Sequence, residues 1–301
     1  MSTHRRRPLR WLGLIALGLV LLPITVGGLL YVPYIQGLAV EWLAARLTLH
    51  TGIEVSVGTL RIRPPLRIVA SDIHVGPSLH IESIKGHLLL RTLMQGTISA
   101  SHIDIRGVDL HSVDQDKPAD VTLAHAEVTG IAYSHAERKL RVSSIALTEA
   151  DISLTKPHSP TTKDGQTSWL PFALEIDELR LLRSATHYTA PQMALEARAE
   201  TLTLRTIATD TLQRVALGDI ALGGATIALT REGSPRWEAT HMAAQATDIH
   251  YAPNDVKGKE VRLTLIGSHG VELQAEASTC TWDEGQLSIP SYTLRTQHWK
   301  I

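Results

Sequence analysis

The residues of this sequence with the most chemical potential are its histidines. There are 15 in the chain, and imidazole both carries protons near neutral pH and binds transition metals. Seven of them lie scattered among strand-like and loop-like segments, without the short, regular spacing of a metal motif: His74, His80, His87, His102, His111, His125 and His135. We therefore interpret them as solvent-facing residues of strands and loops.

Carboxylates and catalytic motifs give no firmer indication of chemistry. Asp114, Asp116 and Asp120 resemble a cation-binding cluster, but the glycine and terminal glutamate of a twelve-residue calcium loop are missing, which favours a solvated loop. The sequence contains no HExxH, GxSxG, P-loop or dinucleotide-binding motif, and its one cysteine, Cys280, has no partner for an internal disulfide. The sequence therefore predicts neither an enzyme nor a cofactor or metal site.

The composition indicates an extended β structure rather than one compact core. Hydrophobic residues make up 44% of the chain but aromatic residues only 4%, with a single phenylalanine. Aliphatic side chains in short alternating runs favour many modest strands. Beyond the first ten residues, 25 basic residues stand against 30 acidic ones, a balance that argues against a nucleic-acid partner.

The N-terminal region predicts a single membrane anchor. Residues 11–32 contain no charge, and 22 helical residues suffice for a hydrocarbon layer of roughly 30 Å. Trp11 and Tyr31 lie where interfacial aromatic residues belong. The preceding arginines predict that residues 1–10 are cytoplasmic and that the rest is exported to the periplasm: Arg5, Arg6, Arg7 and Arg10. A cleavable signal peptide is the alternative, but its apolar region is shorter.

Residues 33–52 predict a juxtamembrane amphipathic helix. Ile35, Leu38, Ala39 and Trp42 recur at helical spacing, and Gly52 follows as a C-cap. The apolar face of this helix either covers the first end of a sheet or lies on the bilayer surface. Both interpretations fit the pattern equally.

From residue 53 to 301 the period changes from 3.6 to 2, which predicts a periplasmic, repetitive β-sheet region. The segment that starts at Met193 has helix-favouring residues but alternates, and we interpret it as a strand. Proline, glycine and polar residues predict a long loop near 156–168. Because both sides of this loop carry the same repeat, one continuous sheet is a simpler interpretation than two.

Four ten-residue segments share one pattern of apolar positions and begin at Ile103, Ile145, Leu179 and Ile220. The alternation breaks once within each, so a two-residue hairpin turn or a β-bulge must lie there. Gly223-Gly224 and Arg106-Gly107 suit a turn, whereas Thr148-Glu149 and Leu182-Arg183 suit a bulge. Either geometry predicts one apolar face, the candidate groove, formed by Ile103, Ile105, Val108, Leu110, Ile145, Leu147, Ile152, Leu154, Leu179, Leu181, Ile220, Leu222, Ile227 and Leu229.

The order of these features resembles that of a known family. A basic N-terminus and anchor precede the helix QGLAVEWLAARLTLHTG and the segment IEVSVGTLRIRPPLRIVASDIHV, followed by SASHIDIRGVDLHSV and WLPFALEIDELRLLRSATHYT. This arrangement resembles the N-terminal portion of AsmA-like proteins of the TamB type. The resemblance implies a mainly β protein of the cell envelope, anchored in the inner membrane, whose elongated antiparallel sheet curls into a groove with an apolar interior.

The same resemblance implies a function in phospholipid transport between the inner and outer membranes, with phospholipid acyl chains as cargo. The alternative is a periplasmic scaffold that passes outer-membrane proteins to a barrel assembly protein by strand addition at a sheet edge. A third interpretation is a sandwich that closes its own core and carries no cargo. What covers the apolar face distinguishes the three.

Overall fold

The computed structural model describes residues 37, 54–64, 66–89, 92, 97–112, 119–155, 172–209, 214–252, 255–267, 271–283 and 286–298. Residues 37 and 92 are helical, and every other regular element within these ranges is a strand. The first seven are β1 (Val55–Arg63), β2 (Arg67–Val75), β3 (Leu79–Leu88), β4 (Thr97–His111), β5 (Ala119–Ser134), β6 (Lys139–Thr155) and β7 (Ala173–Ala190). The remaining seven are β8 (Met193–Thr209), β9 (Val215–Arg231), β10 (Trp237–Ala252), β11 (Asp255–Gly267), β12 (Val271–Asp283), β13 (Gln286–Ser288) and β14 (Tyr292–His298).

All fourteen strands belong to one sheet, in which the spatial order follows the chain order. Neighbouring strands are antiparallel except for β6 and β7, which are parallel. β13 and β14 lie one after the other along the same edge of β12. The described sheet is not closed, because β1 pairs only with β2 and β14 only with β12. The prediction of a mainly β, mostly antiparallel protein is therefore confirmed.

Three other predictions concern particular segments. The ambiguous segment at Met193 forms β8, so its interpretation as a strand is confirmed. The predicted anchor at 11–32, nearly all of the helix at 33–52 and the loop at 156–168 lie outside the described residues. Within the ranges given above, no helix has the length and apolar character required to cross a bilayer.

The break in the repeat is a left-handed residue within a strand in all four segments. We call each such position a bulge, although the neighbouring strand has a matching unpaired position and the register is unchanged. Gly107, Glu149, Arg183 and Gly224 each occupy the fifth position of the repeat and have φ angles of 60°, 57°, 52° and 61°. Each lies inside a continuous strand. The predicted hairpin turns at Arg106-Gly107 and Gly223-Gly224 are therefore wrong. The predicted bulges at Thr148-Glu149 and Leu182-Arg183 are right in placing an irregularity within a strand, but neither strand gains an extra residue there. A bulge places two consecutive residues on one face, which restores the alternation afterwards.

These bulges line up with irregularities in the neighbouring strands. The pairs Ile81–Val108 and Ser83–Arg106 flank an unpaired position at which Glu82 faces Gly107. A Cβ atom added to Gly107 would lie 2.8 Å from the Cβ of Glu82. Glycine here avoids this clash as well as the cost of a left-handed residue, which Glu149 and Arg183 bear at the equivalent positions. The strands pass through the irregularity together, and the pairing on both of its sides keeps the same register.

A second row of irregular positions crosses the longer strands nearer their opposite ends. Its members with positive φ are Gly130, Thr206, Asp248 and Glu260. Thr206 faces Gly218, where an added Cβ would lie 3.0 Å from the threonine Cβ. Because adjacent strands shift their alternation at the same level, the apolar side chains stay on one face from strand to strand.

The core of this sheet is thin. Among the described residues, no large side chain is less than 2% exposed, and seven of the twelve buried apolar residues are alanines. One buried cluster contains Val142, Ile176 and Ile207, and a second contains Ala225, Ala239 and Met242. Both clusters extend over consecutive strands, and contacts between strands follow the sheet order. The described strands thus form a single layer rather than two packed sheets.

Candidate functional site: an uncovered apolar face

The candidate site is one face of the sheet, and its centre is a continuous line of aliphatic side chains that we call the central row. Residues paired directly across antiparallel or parallel strands point to the same face. The strand pairing joins thirteen such residues from β1 to β14, each of them leucine, isoleucine or alanine: Leu60, Ala70, Ile84, Ile105, Ala126, Leu147, Leu181, Leu202, Leu222, Ala244, Leu263, Ala275 and Leu294. No polar residue interrupts this row.

The four sequence repeats lie side by side in this arrangement. Their first positions, Ile103, Ile145, Leu179 and Ile220, form a second line in which Val128 and Leu204 fill the strands between. Their third positions belong to the central row. On the other side of the bulges, the same pairing joins Leu110 to Ile152 through Val121, and Ile227 lies three strands further along. Val108, Leu154 and Leu229 complete the face at their own strands.

None of the fourteen candidate groove residues is buried. Twelve are partly exposed, and Leu110 and Leu154 are 39% and 40% exposed. Aliphatic side chains at the centre of a sheet are normally covered by a helix or a second sheet, and no described element covers these. The exposure therefore reflects the single-layer arrangement of the described strands.

Large apolar side chains also line the two rims of this face, where the strands end. Trp237 begins β10 at one rim, whereas Tyr251 and Trp282 lie at the opposite rim, and they are 45%, 47% and 45% exposed. Trp237 and Trp282 are therefore exposed at the rims and not packed in a core.

The opposite face of the sheet is polar and carries cross-strand ion pairs. Glu149 binds Arg183 at 3.0 Å between two bulges, and Arg205 donates to Glu178, which also binds Arg180. Because the Arg180 guanidinium hydrogen-bonds it most strongly, the pKa of Glu178 is lowered despite some desolvation. Opposite charges paired between neighbouring strands support the sheet modestly at exposed sites.

Asp104 differs from most other charged residues of the polar face in its partial burial. It lies on that face, but its side chain is only 16% exposed because His125 and Arg106 cover it. Partial burial raises the pKa of Asp104, but the hydrogen bond from His125 and the charge of Arg106 outweigh burial, and the pKa is lowered overall. Asp109, Asp151 and Arg180 are open, with side chains 48%, 50% and 54% exposed.

The polar face also contains a cluster that sequence reasoning missed. Oδ1 of Asp72 lies 3.0 Å from Nε2 of His74 and 3.3 Å from Nε2 of His80, and the two imidazole rings are stacked with centroids 4.5 Å apart. The β2–β3 hairpin, whose turn is Gly76–Ser78, pairs His74 directly with His80. The interpretation of His74 and His80 as scattered residues is therefore wrong. The sequence feature that could have indicated the cluster is the Gly76-Pro77 turn, because it sets the register of the hairpin.

Comparisons with known proteins identify no family. No protein-family model matches the chain, and no curated protein matches it.

Proposed function

We propose that the uncovered apolar face is a lipid-binding groove, and that the protein takes part in phospholipid transport between the inner and outer membranes without catalysing a reaction. The observation that carries this proposal is the central row, thirteen aliphatic residues on thirteen successive strand positions. In this proposal the exported sheet curls around the row, and a single N-terminal span holds the protein in the inner membrane.

The energetic argument is that exposed aliphatic surface of this extent needs a cover. Burying apolar area contributes roughly 25 cal/mol per Å², or about 0.8 kcal/mol for each methylene. Contiguous apolar patches beyond a few hundred Å² mark binding surfaces. An acyl chain fits such a surface, because it offers no polar group that would need a hydrogen-bond partner.

The dimensions of the row also support a lipid ligand. Twelve spacings of about 4.8 Å between neighbouring strands give a length of about 58 Å. One leaflet of the hydrocarbon core is about 15 Å thick, so the row is long enough for several acyl chains placed one after another. Tryptophan and tyrosine at the rims suit the boundary between acyl chains and a polar environment.

The second candidate function is a scaffold that binds outer-membrane protein clients at a sheet edge. The observation that favours it is the last edge, where Tyr292 and Leu294 are 69% and 53% exposed and β14 has no partner on its outer side within the described sheet. An edge strand of this kind can pair with another extended chain. The central row favours lipid over a client, because strand addition needs an edge and not a continuous apolar face.

A photocrosslinking experiment tests both functions on the full-length protein in membranes. A benzophenone amino acid is placed at one of three positions: Leu202 in the central row, its neighbour Thr201, which points to the polar face, or Tyr292 on the last edge strand. We expect phospholipid adducts at position 202 and few at 201. Equal adducts at both positions would contradict the groove. Protein adducts at Tyr292 without lipid adducts at position 202 would favour the scaffold.

A further inference from the structure

Three ligand atoms on the polar face of the β2–β3 hairpin converge in the way a metal ion requires. Ligand atoms of Asp72, His74 and His80 all lie within 4.8 Å of one another. Zinc binds imidazole nitrogen and carboxylate oxygen at about 2.0–2.2 Å in tetrahedral geometry, which separates the ligand atoms by roughly 3.3 Å. The distances from Asp72 Oδ1 to the two histidines, 3.0 and 3.3 Å, match this separation.

The backbone holds the three groups in this arrangement. Asp72 has a φ angle of 57° at a bulge, so its carboxylate lies on the same face as His74, two residues later. A glycine at position 58 provides the space, since an added Cβ there would lie 2.9 Å from the Cβ of Asp72. His80 comes from the adjacent strand, directly opposite His74. The three ligands therefore lie on one hairpin.

A fourth residue supports the ligand role of His80. Its second ring nitrogen, Nδ1, lies 3.8 Å from Oδ2 of Asp109 on β4, which is directly opposite His80 in the sheet. Metal-bound histidines commonly direct their other nitrogen toward a carboxylate, which orients the ring. Asp109 is thus placed as a positioning residue rather than a ligand.

The protein contains an internal comparison for this site on β10. There Asp248 has a φ angle of 51°, and Nε2 of His250 lies 2.9 Å from its Oδ1, so the Asp-x-His arrangement of β2 is repeated. In β10, however, Lys259 Nζ binds the other carboxylate oxygen at 2.5 Å. An ammonium group already neutralises that carboxylate. At Asp72, a second imidazole takes the place of the lysine.

We propose that Asp72, His74 and His80 form a binding site for a divalent transition-metal ion of the zinc and copper class, with a fourth position open to water. Two imidazoles and one carboxylate favour such ions over magnesium or calcium, which prefer oxygen ligands. The metal joins β2 to β3 near the first edge of the sheet. It stabilises the folded hairpin, because the unfolded chain lacks the assembled site.

Zinc titration of the full-length protein, with zinc alone as the probe and a competing chelator as indicator, tests this proposal. We expect one tight equivalent of zinc, and a drop in its affinity of at least tenfold in Asp72→Asn, His74→Ala and His80→Ala. Asp109→Asn should reduce the affinity less. His250→Ala is the matched control, because it removes the histidine of the lysine-occupied pair, and it should leave the tight equivalent unchanged.

A second readout separates a lost ligand from lost folding. Zinc should raise the melting temperature of the native protein but not that of His80→Ala, while circular dichroism should show the same strand content for both. Unchanged zinc affinity in all three ligand variants, or the absence of a tight equivalent in the native protein, would overturn the proposal and leave a hydrogen-bonded cluster only. Tight binding of calcium without tight binding of zinc would overturn the proposal as well.

Discussion

Two neighbouring leucines on β7 offer the sharpest test of the proposed groove. Leu181 belongs to the central row and pairs with Leu147 and Leu202, whereas Leu182 pairs with Thr148 and Thr201 on the polar face. Both side chains are partly exposed. The substitutions Leu181→Asp and Leu182→Asp therefore introduce the same charge, one residue apart, at similar burial and in the same strand.

The expected difference follows from the spacing of the strands. A hydrated carboxylate at position 181 prevents an acyl chain from contacting the sheet over about one strand width, which corresponds to roughly four methylenes. At about 0.8 kcal/mol for each methylene, the free energy of lipid binding becomes less favourable by about 3 kcal/mol. That cost corresponds to a loss of about a hundredfold in affinity. Leu182→Asp leaves the row intact, so its lipid affinity should stay within a few-fold of the native value.

The assay is capture of a photoactivatable phospholipid by the full-length protein, titrated to half-saturation for each variant. Both substitutions remove a partly buried leucine and lower strand propensity, so their effects on the free energy of unfolding should be similar, of order 1–2 kcal/mol. Equal lipid affinity of two folded variants would refute the groove. A loss confined to Leu182→Asp would refute the assignment of faces.

Three further predictions concern the bulges, the polar face and the topology. Gly107→Ala should destabilise the protein by about 1–2 kcal/mol or more in urea denaturation, because of its left-handed backbone and the close Glu82 side chain, whereas Gly86→Ala, whose added methyl meets only ordinary contacts at 3.7 Å, should cost less. Asp104 has a pKa lowered from its ordinary value of 3.8, so its contribution to stability is present above that value and lost as the pH falls through the folded pKa; Asp104→Asn should therefore lose less stability than the native protein between about pH 5 and about pH 3. A periplasm-active reporter fused to the C-terminus should be active and a cytoplasm-active one inactive, and the reverse would refute the predicted orientation.

The strands and their apolar face were predictable because alternation is a local signal. A residue two positions along a strand returns to the same face, so IDIRGVDLHS and its relatives indicate both the strand and its apolar positions. Even the ambiguous β8 followed its alternation rather than its helix propensity, since sheet neighbours on both sides supply hydrogen bonds and packing that propensity does not include.

The choice between turn and bulge was not predictable from the same residues. Gly223-Gly224 suits a hairpin turn as well as a bulge, because glycine accepts the positive φ angles of both. What decides is the neighbouring strand: β8 continues past these glycines, so that Leu202 pairs with Leu222 on one side of them and Arg198 with Thr226 on the other. Similarly, Asp72, His74 and His80 become a cluster only through the register of the hairpin, which is a property of two strands and not of one.

The bulges connect the two faces of the sheet physically. A strand without a bulge would move every later apolar side chain to the opposite face, so each strand must shift at the same level as its neighbours if the central row is to stay continuous. Each shift places two consecutive residues on the polar face, and there they form the pairs Glu149–Arg183 and Asp248–Lys259. The charged clusters, including the proposed metal site at Asp72, thus lie at bulges because the continuity of the apolar face requires bulges there. An apolar row without a covering layer stabilises the fold less than a covered core would, because its side chains stay partly in water. Its continuity therefore supports the proposal of an external apolar ligand.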